Sequence, residues 1–146
     1  MPVAQPHYGE NLKLPPQNLE AEKSVLGSLL LQNNALDDVA DFLRPYHFYN
    51  DANQLLYETM HRMYESGIRG LDPVTVCEDL ARRNQLEPIG GPGYVRELME
   101  TVPHAAHVKY YAEIVRDKWI LRRLTEVCTD VLRDCYSGSD DTSETE

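Results

Sequence analysis

No run of apolar residues in this chain approaches the ~20 needed to cross a bilayer. The densest, Leu26–Leu31 ("LGSLLL"), is too short for that and too far from the N-terminus for a signal peptide. The expected compartment is the cytoplasm, with no membrane contact. Cysteine is scarce and odd in number: Cys77, Cys128 and Cys135 form neither a CxxC pair nor a disulfide framework. They read as small hydrophobes in a reducing compartment. Positive charge is short too, with 14 Lys and Arg against 24 Asp and Glu and a net charge of −10. Phosphate neutralisation needs cations, so this balance argues against a surface that coats nucleic acid. Protein partners are expected instead, with DNA contact weak at most.

Motifs that carry chemistry are missing as well. There is no GxxxxGK[ST], no GxGxxG and no GxSxG. The glycine-rich "IGGPGY" ending at Tyr94 has neither a strand before it nor a lysine after it. His104 and His107 stand three apart, as metal ligands on a helix face do, but no third ligand has a supporting spacing. His47 and His61 sit among aromatic residues and read as satisfied core or surface histidines. Glu20 and Glu22 look like paired carboxylates, yet a helix N-terminus accounts for both. Arg116, Lys118, Arg122 and Arg123 are interleaved with Asp117 and Glu126, which reads as a solvated face. No catalytic residue, cofactor or metal is expected.

Nor does any stretch alternate with period two long enough to be a strand, so the chain reads as all-α. Its 146 residues suit one domain with a single core. Residues 1–17 carry four prolines and no periodicity, which suggests a flexible arm. Asn18 is an N-cap candidate with Glu20 and Glu22 in the first turn, and Leu19, Leu26, Leu29 and Leu30 share a face. Gly27 interrupts that helix at a cost of about 1 kcal/mol relative to Ala, and close approach of another backbone is the common compensation. "NALDDVADFL" suggests a short helix stopped by Pro45. A helix capped at Asn50 and closed by Gly67 follows, with Leu56, Met60, Met63 and Tyr64 at helical steps. Asp72 and Pro73 open the next. "EPIGGPG" reads as a turn, and Tyr94–Val102 as a further short helix. These elements make a helical head over residues 18–103.

From His104 to Tyr136 there is neither glycine nor proline, enough for a helix of about 50 Å at 1.5 Å per residue. Val108, Ala112, Val115 and Trp119 form one apolar stripe. Ile120, Leu121, Leu124, Val127, Cys128, Val131, Leu132 and Cys135 form another, centred roughly 150° away by the 100° helical step. One head cannot bury both. The first half should pack on the head; the second should offer its face to something else. Residues 137–146 ("SGSDDTSETE") bring no apolar residue to cover it and read as an acidic, disordered tail. Contiguous apolar surface of this kind implies another subunit, another protein or a segment removed by truncation. Self-association through residues 120–135 is the expectation, as a two-fold dimer.

With these segments in view, "PPQNLEAEKSVLGSLLL" resembles the opening of the N-terminal domain of DnaB-type replicative DNA helicases. The resemblance continues through "FYNDANQLLYETMHRM", "LDPVTVCEDL", "LEPIGGPGYVREL" and "VPHAAHVKYYAEIVRDKWILRRL", in the family's order, over about residues 14–136. It implies a helical head followed by a helical hairpin, with residues 104–136 as the first arm. In the family, hairpins join neighbouring heads into the collar of a hexameric ring, and the collar docks DnaG-type primase. Leu121, Leu124, Val127, Cys128, Val131 and Leu132 then belong to the assembly and docking surface, with Tyr94 on the adjoining segment. The family's ATPase motor lies further along the chain, which makes these residues a non-catalytic domain of a larger helicase. The alternative is a free-standing adaptor or regulator that mimics the domain and binds helicase or primase. A reading frame running past Glu146 into GxxxxGK[ST] decides between the two.

Overall fold

The computed structural model describes residues 14–32, 34–68, 70–102 and 107–143, with residues 139–143 in backbone only. The arm expected over residues 1–17 therefore lies mostly outside the described residues, as do His104 and the last three residues of the chain. All regular structure among the described residues is helical, as the sequence predicts. Among the described residues, six α-helices run as α1 (Leu19–Leu31), α2 (Asp51–Glu65), α3 (Pro73–Arg82), α4 (Leu86–Ile89), α5 (Gly91–Thr101) and α6 (Val108–Ser143). Two 3-10 turns, Ala35–Asp38 and Pro45–His47, link α1 to α2.

Helix α1 is the centre of the head. Asn18 caps it by accepting the Ala21 N–H at 2.9 Å. Its body is buried on nearly every side, from Ala21 to Leu30, because α2, α5 and α6 all pack on it. That explains one departure from the expected stripe: Leu19 lies at the rim, 39% exposed, while Val25 and Gly27 are buried. A helix enclosed all round has no polar face from which its apolar face can be read. Gly27 meets α5 edge-on, and a Cβ built there would overlap the Leu98 carbonyl oxygen and the Val102 side chain.

Glu22 also departs from expectation. Its side chain leaves its own helix and becomes buried, 2% exposed, against the start of α2. The carboxylate accepts the Tyr49 N–H at 2.9 Å, the Asn50 N–H at 3.3 Å and the Asn53 side-chain amide at 3.0 Å. It supplies acceptors to orphan donors at that helix terminus, where the dipole favours negative charge. Asn53 in turn accepts the Tyr94 hydroxyl of α5. One buried polar network thus ties α1, α2 and α5 together.

The caps at Asn50 and Asp72 form as expected, accepting the Asn53 N–H at 3.1 Å and the Thr75 N–H at 2.7 Å. Gly67 closes α2 with φ 92, and the Ile68 N–H folds back on the Met63 carbonyl at 3.1 Å. The segment "NALDDVADFL" is not an α-helix. It makes the turn Ala35–Asp38 and then irregular turns that bury Leu36, Val39, Ala40 and Leu43. Anchoring these side chains prevails over a helix too short to propagate well. "EPIGGPG" is more ordered than a turn: α4 ends at Gly90, with φ 114, and α5 starts at Gly91, three residues before the expected Tyr94.

Helix α6 departs at its far end. It continues past Tyr136 and through Gly138 to Ser143. Most of the segment expected to be a disordered tail is therefore helical backbone, because extending a formed helix needs no new nucleus and one glycine costs only about 1 kcal/mol.

Candidate functional site

Helix α6 divides at Trp119. Before it, Val108, Ala112 and Val115 are at most 3% exposed, sealed against the head. Beyond it, the second stripe lies in water: Leu121 is 45% exposed, Leu124 54%, Val127 47%, Val131 54% and Leu132 60%, with Cys128 exposed as well. These six candidate residues share one arc of the helix, roughly 140° wide by the 100° step. Along its middle, Leu121, Leu124, Cys128, Val131 and Cys135 follow alternating steps of three and four. That is the a/d spacing of a coiled-coil seam. The other side of the arm carries ion pairs, Arg123 with Glu126 at 2.6 Å and Arg133 with Asp130 at 3.5 Å. The Thr125 and Thr129 hydroxyls donate back to the carbonyls of Leu121 and Thr125, at 2.9 and 2.8 Å. The arm thus has one apolar face and one solvated face.

Tyr94 is not part of that face. It is half-buried on α5, its hydroxyl committed to Asn53, and burial, with Glu97 and Glu22 nearby, pushes its phenol up to about 12. The seven candidate residues are therefore divided between the arm and the head's polar network.

Where the arm leaves the head, the structure builds a junction. Trp119 packs against His47 at 4.8 Å and Tyr46 at 5.1 Å between ring centroids. Arg122, one turn on, is half-buried; its Nη1 donates to the Pro16 carbonyl and its Nη2 to the His47 carbonyl, both at 2.8 Å. The guanidinium also lies 5.4 Å from the centre of the Tyr49 ring. A cleft of about 390 Å³ opens beside it, walled by Pro15, Tyr46, Trp119, Arg123 and Glu126. In sequence Arg122 stands among other charges, which suggests a solvated face. Its spacing of three from Trp119, which puts it on the head-facing side, was the available signal. Arg116 likewise turns inward, 5.2 Å from the Phe42 ring centre.

His47 is 4% exposed, and its Nδ1 accepts the Arg44 N–H at 2.9 Å. Burial first, then the charges of Arg116, Arg44 and Arg122, lower its pKa from 6.5 to about 4. The fold thus favours neutral imidazole. Its contribution to stability is complete above about pH 6.5 and is lost as the pH falls towards 4. Urea unfolding at pH 7, 5.5 and 4.5 should show this loss, and His47→Gln, which keeps an acceptor but cannot titrate, should flatten that part of the profile. An unchanged slope in the variant would assign the loss to carboxylates instead.

Among the described residues no group of three His, Cys, Asp or Glu is placed to hold a metal ion. None of the described helices is long and apolar enough to cross a membrane. What the geometry offers is a surface. The family profile described as "DnaB-like helicase N terminal domain" matches residues 14–117, most of the chain. The chain belongs to that family. It is 43% identical over 129 residues to the replicative DNA helicase DnaB of Geobacillus stearothermophilus, covering 88% of this chain and 28% of that one. Replicative DNA helicase DnaC of Bacillus subtilis (strain 168) is 40% identical over 134 residues, covering 92% and 29%. Replicative DNA helicase DnaB of Mycobacterium leprae (strain TN) is 45% identical over 126 residues, covering 86% and 21%. The chain thus spans between 21% and 29% of these relatives' length.

The crystal structure of the N-terminal domain of DnaB helicase from Mycobacterium tuberculosis superposes with a TM-score of 0.82 at 46% identity, covering 87% of this chain and 90% of that one. A DnaB-like replicative helicase, described with its interactions with primase, shares the fold at a TM-score of 0.71 and 22% identity, covering 88% and 32%. In this DnaB-family domain, the matched residues take in the helices before α6 and the first part of α6, up to residue 117.

Proposed function

We propose that this chain is the assembly and primase-docking module of a hexameric replicative DNA helicase, with no catalysis of its own. The observation that carries the reading is the arm: an apolar arc with coiled-coil spacing, left in water on the side of α6 away from the head. Monomeric soluble proteins rarely leave so much contiguous apolar surface exposed, and an interaction surface explains it. The arm pairs with a second copy or with neighbouring collar arms, and the paired heads present a surface to a DnaG-type primase. Tyr94 contributes by holding α5 in place beside that surface. The parent protein supplies ATP hydrolysis from elsewhere, in keeping with the relatives' name. The expected compartment remains the cytoplasm.

Size-exclusion chromatography of this chain with a purified DnaG-type primase tests the reading. Co-migration is expected, together with no ATP hydrolysis by the chain itself. Separate elution at tens of micromolar, about the weak end of useful protein association, would remove the docking role; ATPase activity that survives repurification would remove the non-catalytic one.

A further inference from the structure

Arg122 joins three parts of the chain that are distant in sequence: α6, the strap at Pro15–Pro16 and the 3-10 turn Pro45–His47. We propose that it is a latch: with its fork closed on the two carbonyls, strap, turn and helix form one rigid junction that fixes the direction of the arm. A planar guanidinium is suited to this, since its donors are held in a fixed fork and reach two acceptors at once. Trp119 and the Tyr46–His47 pair form the bearing, and the Tyr49 ring backs the guanidinium. Neighbouring arm residues do not share the task, because Leu121 and Leu124 on either side are about half exposed. The head does not depend on the latch either, because Val108, Ala112 and Val115 seal its core before the junction is reached.

The strap is the moving part. Its attachment to α6 runs through the Pro16 carbonyl, and the paired prolines restrict the backbone that presents it. Release of the strap, by a partner that enters the adjoining cleft or by a change in the residues before it, frees the guanidinium on one side and lets the arm tilt. Arm direction is thereby coupled to the N-terminal segment. This holds whether the arm pairs with a second copy or with another protein.

The test uses the full chain with spin labels at Glu58→Cys on the head and Asp134→Cys on the arm, in a background where Cys77, Cys128 and Cys135 are serine. Labelled chains are diluted into excess unlabelled chain, so that each measured distance lies within one molecule. The latch predicts one narrow distance distribution, which broadens roughly two-fold in Arg122→Gln as the arm samples more directions. Pro15→Gly with Pro16→Gly should broaden it less, because the His47 carbonyl still holds the guanidinium, and the triple variant should be no broader than Arg122→Gln alone, in which the strap contact is already open. Circular dichroism should show the head's helices unchanged in each variant. A native-width distribution in Arg122→Gln overturns the proposal. So does added broadening in the triple variant, or head unfolding that accompanies the broadening. If Arg122→Gln does not fold, the proline pair alone decides, since it leaves the guanidinium in place.

Discussion

Gly27→Leu should leave the chain without a stable head, and Gly27→Ala should lower its stability by about 2 kcal/mol, although helix propensity alone predicts the opposite sign for alanine. In an exposed helix interior, replacing glycine by alanine gains about 1 kcal/mol. Here the added Cβ overlaps the Leu98 carbonyl oxygen and the Val102 side chain. A flexible side chain can swing aside, but the carbonyl belongs to α5 and moves only with its helix. α1 and α5 must separate, which opens the packing around Val25, Leu26 and Leu98, all at most 2% exposed. Leucine adds three further carbons, and a loss of about 4–5 kcal/mol is a large share of the 5–15 kcal/mol that holds most domains folded. Urea titration of the two variants beside the native chain measures both effects. An alanine variant as stable as the native chain would show that packing does not require this glycine.

The second large effect concerns association. Replacing Leu124 and Val131 together by Asp places two charges near the middle of the arm's apolar face, and four at a two-fold interface. Charges enclosed without partners cost several kcal/mol each, enough to dissolve an interface of this size. Because both side chains are 54% exposed and lie beyond the junction, the head should keep its circular dichroism and melting temperature. Sedimentation should find the native chain dimeric and the double variant monomeric. A dimer that survives would put the interface elsewhere. A native chain that is already monomeric would assign the cover of this face to another protein or to a second arm.

What the sequence made readable was local or periodic. Asn18, Asn50, Asp72 and Gly67 were identified as caps and stops because each acts within about four residues of itself. The two faces of α6 were separable because the helix is long enough for the phase of its apolar pattern to be measured. Tertiary decisions were less visible. Leu19 shares the spacing of buried leucines but reaches the rim. Glu22 sits where a helix dipole explains it, and then serves a different helix 27 to 31 residues away. "NALDDVADFL" has helical spacing, but the burial of Leu36, Val39, Ala40 and Leu43 breaks it into single turns. These are closed by bonds such as Ala40 N–H to the Leu36 carbonyl at 2.8 Å and Leu43 N–H to the Val39 carbonyl at 2.9 Å, and they do not join into one helix. Arg122 is hidden for the same reason: its charged neighbours in sequence suggest water, whereas its acceptors lie 75 and 106 residues away.

The length of α6 turns a small rotation into a large displacement. From Arg122 to Tyr136 the helix rises about 20 Å, at 1.5 Å per residue. A tilt of about 10° at the junction therefore carries the arm's far end through nearly 4 Å, close to the spacing of atoms in van der Waals contact. For a partner seated on this face, contacts near Leu121 would barely shift, while those near Leu132 and Cys135 would slide out of register. The far end of the arm is thus the mechanically sensitive part, and the near end the pivot.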